Sequence, residues 1–283
     1  MKLNKVRLGL GGGSLLQIAN RTLTQSMSYI IDTRKGSVIV IDGGNYCAED
    51  SDNLYEELKK RNKKVDLWIM THAHCDHVGA FTYLMEKDSF DIEIGNMCYN
   101  FPDTEWLMTQ EDSEINASFL ENVEKKAITT ITPQMGQIIE IDGITFEFIS
   151  VPSDYRNHVN INGTSIIFLV HFTKKDVLFT GDFDVTAQME FLEHCDASKL
   201  RCDIVQMPHH GQNGIDRMFY ELIMPKICLY TTPQWLWENN RYKCTDPKTA
   251  GQGPFTTLET RAWMKVLGAE QSYAHKDGDY LFV

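Results

Sequence analysis

Four residues that could bind metal ions fall within six consecutive positions of the chain, and they are His72, His74, Asp76 and His77. Besides thiolate, imidazole nitrogen and carboxylate oxygen are the ligands that zinc accepts in proteins. The run directly follows an apolar, strand-like stretch, residues 65–70. Alternate residues of an extended segment point the same way, so His72 and His74 can share one ion. Asp76 and His77, at the turn into a predicted helix, can then serve a neighbouring ion, whereas isolated structural histidines would not be expected to cluster in this way.

Three other apolar stretches also end at polar residues that could do chemistry. They stop at Asp42, Asp182 and His209, after residues 38–41, 177–180 and 203–207 respectively. Side chains at strand ends are held by rigid elements, and loops at such ends often carry function. We therefore expect the strand ends to meet at one edge of an α/β fold and to form one site from both halves of the chain.

The remaining patterns give the secondary structure that must position this site. Apolar and β-branched alternation predicts strands over residues 28–33, 37–41, 137–151 and 164–171, and helices are expected over 50–60 and 78–86. Asp142-Gly143 is a hairpin signal. The glycine-rich stretch 9–14 lacks the Gly-Lys-[Ser/Thr] of a phosphate loop and is interpreted as a turn.

The motif His72-x-His74-x-Asp76-His77 resembles the signature of the metallo-β-lactamase superfamily, whose fold is a four-layered αβ/βα sandwich. Thr180-Gly181-Asp182 resembles the strand that carries the bridging aspartate of that family. Pro208-His209-His210-Gly211 resembles its last histidine ligand, and Asp42 its early structural aspartate. The resemblance covers about residues 28 to 211, so it implies the fold for most of the chain.

This resemblance also implies ligands for two metal ions. The first ion would take His72, His74 and the bridging Asp182, and the second ion would take Asp76, His77, Asp182 and His210. His210 is preferred to His209 because the following Gly211 lets the backbone approach closely, although the two histidines could be exchanged. His209 then becomes an acid–base candidate. Asp76 either binds metal or orients the attacking water.

One position departs from the usual pattern of the superfamily. Between the first motif and the Gly-Asp strand most members have a further histidine ligand, where this chain has Asn162, with His158 four residues upstream. Residues 162–165 and the His-His-Gly triplet are similar to the hydrolase domain of ComEC competence proteins and to choline-phosphate esterases. ComEC-like members also lack that histidine. A water, Asn162 or the substrate could complete the first ion's ligands.

Three further features leave two interpretations open. Asp42, in Asp42-Gly43-Gly44, is either a turn residue or an acceptor that orients a ligand histidine. His275 is either structural or, in a late turn near the returning terminal strand, part of the site. The polar stretch 233–248, with Trp235, Trp237 and Tyr242, either forms a loop over the cleft or simply packs.

Composition limits the cellular setting and the partners. The 283 residues show no linker or repeat, which favours one domain over 1–283, and the formal charge of −12 makes extended nucleic acid an unfavourable partner. A small phosphorylated substrate is still compatible, because bound cations reverse the local field. Seven scattered cysteines without a CxxC pair, no signal-peptide pattern and no membrane-length apolar run favour the cytoplasm. Nothing in the sequence indicates an oligomeric state.

The resulting hypothesis is a hydrolase that uses two divalent ions to activate a water molecule. The expected metal is zinc, with manganese or iron as alternatives. The expected substrate is a phosphodiester such as a nucleotide or a head-group ester. A thioester or lactone hydrolase of the same fold is the alternative. A diiron redox protein is disfavoured, since those members typically carry glutamate where His74 stands and an additional flavodoxin-like domain. A metal-binding protein without activity is disfavoured by the retention of both motifs.

Overall fold

A computed structural model describes residues 2–152 and 159–283 of the chain. Fifteen strands are found in these residues: β1 Leu3–Val6, β2 Gly13–Gln17, β3 Tyr29–Thr33, β4 Val38–Ile41, β5 Lys64–Ile69, β6 Glu93–Cys98, β7 Thr130–Ile131, β8 Ile138–Ile141, β9 Ile144–Ser150, β10 Ile167–His171, β11 Asp176–Phe179, β12 Ile204–Gln206, β13 Ile227–Tyr230, β14 Gln271–Ala274 and β15 Asp279–Phe282. The helices are α1 Ala48–Lys59, α2 Cys75–Met85, α3 Thr104–Leu107, α4 Ser113–Lys125, α5 Val185–His194, α6 Arg217–Ile223, α7 Gln234–Trp237 and α8 Thr257–Val266. No helix within the described residues combines the length and apolar character that crossing a bilayer requires.

The strands form two mixed sheets. One sheet has the order β1-β15-β2-β3-β4-β5-β6-β7, and the other has the order β14-β13-β12-β11-β10-β9-β8. Strands β4 to β7 are parallel to one another, as are β11 to β14. Parallel neighbours bring their carboxyl ends to the same edge of a sheet, which is where ligand sites form in α/β folds.

The sheets pack face to face, and helices cover their outer faces. Aromatic rings of both sheets meet in the central core, where Tyr29 and Phe168 lie 5.2 and 5.3 Å from Phe179 between ring centroids. Helices α1, α2 and α4 bury apolar side chains on the outside of the first sheet, and α5, α6 and α8 do so on the second. The four layers, helix, sheet, sheet and helix, confirm the predicted αβ/βα sandwich.

Most predicted elements are present, with shifts at their ends. The strands predicted over 28–33 and 37–41 are confirmed as β3 and β4, and Asp142-Gly143 forms the tight turn between β8 and β9, with both residues at positive φ. The helix predicted from residue 78 begins at Cys75, so Asp76 and His77 lie in its first turn. The strand predicted from residue 164 begins only at Ile167, because residues 162–164 form a 3₁₀ turn.

Candidate metal centre

The candidate site residues lie after the ends of four strands, at one edge of the sandwich. Asp42 follows β4, and the motif His72 to His77 spans the loop after β5 and the start of α2. In the second sheet Asp182 follows β11, and His209 and His210 follow β12 in a 3₁₀ turn. The predicted convergence of strand ends from both halves of the chain is therefore confirmed.

One cluster brings together Asp76, His77, Asp182 and His210, whose ligand atoms all lie within 4.8 Å of one another. Nε2 of His77 lies 3.2 Å from Oδ1 of Asp182, and Nε2 of His210 lies 3.0 Å from Oδ2 of Asp76. Nε2 of His210 also lies 3.3 Å from Oδ2 of Asp182. The histidines and Asp182 are buried, whereas Asp76 faces the cleft.

A second cluster consists of His72, His74 and the same Asp182. Nε2 of His72 and Nδ1 of His74 lie 3.2 Å apart, and the His74 ring borders the cleft. Because Asp182 belongs to both clusters, one carboxylate can join two ions held side by side. These are the two groups that the resemblance implied, and the geometry brings them together.

Buried atoms without hydrogen-bond partners support a metal rather than a purely structural role. Nε2 of His77, Oδ1 of Asp182 and Nε2 of His210 are buried and have no hydrogen bond to any described residue. Nε2 of His77 lies 3.2 Å from this Oδ1, and Nε2 of His210 lies 3.3 Å from the other oxygen of Asp182. Polar atoms in protein interiors are rarely left unpaired, since each such atom costs about 1–3 kcal/mol. Cations at this point would satisfy all three atoms, so the donor set fits divalent metal ions.

Hydrogen bonds to Nδ1 determine which ring nitrogen each candidate ligand histidine presents to the cluster. Nδ1–H of His77 donates to Oδ2 of Asp42 over 2.7 Å, and Nδ1–H of His210 donates to the carbonyl oxygen of Thr231 over 2.9 Å. In the neutral ring that binds metal, the proton on Nδ1 leaves the lone pair on Nε2, which faces the cluster. Asp42 also accepts the Thr71 N–H and hydroxyl over 2.7 and 2.8 Å. Of the two interpretations of Asp42, its contacts match the acceptor that orients a ligand histidine, although its φ of 56° also places it in a turn.

The histidines and carboxylates of the clusters shift one another's pKa values. Burial lowers the pKa of His72 well below its ordinary value, so this imidazole is neutral, the form that binds metal. Burial also opposes charge on His210, but Asp182 and Asp76 outweigh it and raise the pKa of His210 to about 10. In return, although burial opposes its charge, His210 and His77 hold the pKa of Asp182 well below its usual range. The carboxylates thus require positive charge beside them, which bound cations would supply.

The backbone at residues 209–211 decides which of two adjacent histidines enters the cluster. His209, His210 and Gly211 have φ values of 49°, 55° and 77°, the left-handed region that side chains rarely adopt. A Cβ atom at Gly211 would lie 2.5 Å from the Tyr230 ring, so glycine is required there. This turn buries His210 completely in the cluster and leaves His209 21% exposed in the cleft wall. Nε2 of His209 lies 3.9 Å from Oδ2 of Asp182.

Three further residues were predicted as possible members of the site: Asn162, His158 and His275. Nδ2 of Asn162 lies 3.5 Å from Nε2 of His209, and its Oδ1 is buried without a hydrogen-bond partner among the described residues. His158 lies outside the described residues. His275 is buried and has no hydrogen bond on either ring nitrogen within the described part of the chain, but it belongs to neither cluster.

A cleft of about 430 Å³ opens over both clusters, and its wall includes residues that sequence patterns did not single out as functional. They include Leu23, Asn45, Glu111, Asp112 and Lys243. Trp235 also borders the cleft, but it lies in α7 and its side chain is fully buried, so it packs as well as lining the cleft. These residues come from segments far apart along the chain, and the only available signal was the aromatic content of residues 233–248.

The model of the family described as the metallo-beta-lactamase superfamily matches residues 21–219, which include both clusters. The chain belongs to the metallo-beta-lactamase superfamily. The match covers well over half of the 283 residues. It confirms the family that the motifs indicated, while the narrower ComEC-like branch is not decided by it.

Sequence relatives within the superfamily include two hydrolases of different kinds. Hydroxyacylglutathione hydrolase GloC of Haemophilus influenzae is 26% identical over 166 residues, covering 56% of this chain and 66% of the relative. RNase aCSPSF2 of Saccharolobus solfataricus is 24% identical over 203 residues, covering 68% of this chain and 39% of the relative. The chain thus spans less than two thirds of the length of these relatives.

Solved structures support the superfamily fold over nearly the whole chain. The metallo-beta-lactamase fold protein YhfI from Bacillus subtilis superposes with a TM-score of 0.55 and 11% sequence identity. The superposition covers 95% of this chain and 99% of YhfI. At this identity the likeness shows the fold and leaves the substrate open.

Replacing Asp42 by asparagine tests its role as the residue that orients His77. Asparagine tolerates positive φ, so the turn should form, but the amide cannot accept from His77 and Thr71 as the carboxylate does. We expect the affinity for the second metal ion to fall by about 10- to 100-fold, the usual cost of losing such a partner. Competition with a zinc-binding dye measures this change.

Asp142→Asn is the matched control. Asp142 is also an aspartate at positive φ in a tight turn, but it accepts from Thr33 and lies outside both clusters. This variant should bind metal like the wild type. Equal metal affinities of Asp42→Asn and Asp142→Asn would show that Asp42 has only a turn function.

Proposed function

We propose that this protein is a hydrolase with two metal ions, most simply zinc, that cleaves a phosphodiester such as a nucleotide or head-group ester. The observation that carries the proposal is the uneven composition of the two clusters. The second ion would have four protein ligands, but the first would have only His72, His74 and Asp182 among the described residues. A non-bridging phosphoryl oxygen, which is anionic, can fill the remaining position.

The metals would supply an activated water and stabilise negative charge on the reacting group and the leaving oxygen. The chain's own residues have separate tasks. Asp76 faces the cleft, where it can bind an ion or orient the attacking water. His209 presents Nε2 to the cleft beside Asp182 and can exchange a proton with the leaving oxygen. Asn162, whose amide Nδ2 contacts that same Nε2, holds the ring in place or offers Oδ1 to the first ion.

Contacts between two motifs favour a relationship to the ComEC-like and choline-phosphate esterase branch. Residues 162–165 and the turn of His209 and His210 lie on different elements, yet they meet beside Asp182. Asn162 contacts His209, and the hydroxyl of Ser165 accepts the backbone N–H of Asp182 over 3.0 Å. The two motifs together support the bridging carboxylate, which is consistent with their occurring as a pair in one branch.

Thioester hydrolysis is the second candidate function. It is favoured by the match to hydroxyacylglutathione hydrolase GloC, whereas the match to RNase aCSPSF2 favours the phosphodiester. A thioester carbonyl oxygen could also reach the open position of the first ion, but it is neutral and therefore a weaker ligand than a phosphoryl oxygen.

The deciding experiment compares substrates on the metal-loaded protein. Zinc- and manganese-loaded samples are assayed with bis-p-nitrophenyl phosphate, a hydroxyacyl thioester and a lactone. We expect turnover of the phosphodiester, lost in His74→Ala and kept in His194→Ala, whose histidine belongs to neither cluster. Thioester turnover without phosphodiester turnover would replace the proposal by the second candidate, and metal-loaded protein inactive on all three would contradict both.

A further inference from the structure

A second cavity, of about 500 Å³, is lined by the same chain segment that lines the cleft. The segment from Gln234 to Gly251 contributes Trp235 and Lys243 to the cleft, and Gln234, Trp237, Glu238, Ala250 and Gly251 to the second cavity. Leu258, Arg261 and Lys276 complete the wall. The metal ligands take no part in it, so this cavity is separate from the catalytic centre.

Arg261 is positioned in this wall by two contacts with Trp237, and it has no acidic ion-pair partner among the described residues. Its guanidinium stacks on the Trp237 ring at 3.8 Å from the centroid, and Nη1 donates to the carbonyl oxygen of Trp237 over 3.0 Å. No carboxylate within residues 2–152 or 159–283 forms an ion pair with it, in a chain with 39 acidic and 27 basic residues. Burial lowers the pKa of Arg261 because its charge is partly desolvated, although the nearby Tyr230 opposes this shift. Nε and Nη2 donate to no residue in the described part of the chain and can therefore donate to a ligand.

Two other charged groups line the cavity, and they do not neutralise Arg261. Nζ of Lys276 lies 5.3 Å from the Trp237 centroid and adds a second positive charge, although it also contacts the exposed Asp277 at 2.7 Å. Glu238 adds one negative charge to the wall, and its two oxygens accept from the side-chain amides of Gln234 and Asn240. Among the described residues it forms no ion pair with Arg261 or Lys276, so the two cations of the wall outnumber its one carboxylate and favour an anion.

We propose that this second cavity binds the phosphoryl group of a small molecule. A planar guanidinium matches two oxygens of such a group through parallel hydrogen bonds, and Lys276 acts as a point charge. A phosphate monoester carries about −1.5 to −2 charge at neutral pH, which suits two cations better than a single carboxylate does. The proposal does not depend on the proposed hydrolysis, because the metal ligands are not involved.

Two tryptophans make the site testable in the metal-loaded protein. Trp237 lines the second cavity and Trp235 lines the cleft, so their indole N–H signals in ¹⁵N-edited NMR report the two places separately. The signals are assigned with Trp237→Phe and Trp235→Phe. On titration with inorganic phosphate we expect a saturable shift of the Trp237 signal, and this shift should persist in His74→Ala, which impairs the metal centre.

Substitution of Arg261 provides the decisive comparison. Arg261→Gln should weaken phosphate binding at the Trp237 signal by at least about tenfold, as expected for losing charge-assisted hydrogen bonds, and Arg261→Lys should give an intermediate loss. Arg217→Gln is the matched control, since Arg217 is exposed on α6 and pairs with Glu221. If Arg261→Gln fails to fold, Lys276→Gln replaces it, with a smaller expected loss. Absence of a saturable Trp237 shift in the wild type, or unchanged affinity in a folded variant of Arg261 or Lys276, would overturn the proposal.

Discussion

Asp182→Asn is expected to reduce the hydrolytic rate constant kcat/KM by at least about a thousandfold and to lower the bound metal below two ions per chain. Asp182 is the residue common to both clusters, with Oδ1 at 3.2 Å from His77 and Oδ2 at 3.3 Å from His210. An amide nitrogen cannot bridge two cations. Several kcal/mol of charge stabilisation would be lost, and each 1.4 kcal/mol corresponds to a tenfold change in rate. Steady-state kinetics and elemental analysis of the same samples measure both effects.

Asp184→Asn is the matched control for this substitution. Asp184 lies two residues further along and caps α5 by accepting the Thr186 N–H over 2.9 Å, a task that asparagine also performs. Its metal content and activity should remain close to those of the wild type. An Asp182→Asn protein with two ions and normal activity would show that Asp182 does not bridge.

His209→Ala is expected to lower kcat by about a hundredfold to ten-thousandfold while the protein still binds two metal ions. His209 belongs to neither of the two clusters, and its Nε2 lies in the cleft wall, 3.9 Å from Oδ2 of Asp182. Nδ1–H faces the carbonyl oxygen of Asn213 at 3.3 Å, so Nε2 is the nitrogen available for proton exchange. Positioned acid–base groups typically contribute rate factors of this size.

Substrates with different leaving groups distinguish a proton-transfer role of His209 from a metal-binding role. p-Nitrophenolate leaves readily without a proton, whereas an alkoxide needs one. The loss in His209→Ala should therefore be smaller for a p-nitrophenyl ester than for an alkyl ester of the same phosphate. Equal losses on both substrates, together with reduced metal content, would instead assign His209 to the metal ligands.

Local sequence was sufficient for the parts of the site that lie at strand ends. The motif His72 to His77 follows a buried strand, and Asp42 and Asp182 do the same, so the rigid strands alone bring them to one edge. His210 was preferred because the following glycine permits a close approach of the backbone, and Gly211 does lie against the Tyr230 ring, where a Cβ would be 2.5 Å away. Short-range patterns are informative here because the backbone itself determines where these side chains point.

Features that depend on packing between distant segments were not predictable in the same way. Glu111 and Lys243 reach the cleft from loops whose paths are set by the helices and sheets that they cross. Arg261 stacks on Trp237 across 24 positions of sequence, and no local signal marks that pair. The start of α2 at Cys75 was also missed, because the apolar pattern of that helix becomes recognisable only from Val78.

The cleft shows how an acidic protein could bind the anionic substrate that we propose. The overall charge is −12, and Asp76, Glu111, Asp112 and Asp182 all line the cleft with Lys243. Two divalent ions would add four positive charges at the point where two of these carboxylates meet. The local field would then favour a compact phosphoester at the metals and still disfavour a long polyanion across the surface.

Anomalous diffraction at the zinc absorption edge from crystals of the zinc-loaded protein tests the central claim most directly. The account predicts two peaks about 3.5–4 Å apart, one beside His72 and His74 and the other beside His77 and His210, with Asp182 between them. A single peak outside the two clusters, or no peak in protein that has been loaded with zinc, would contradict it.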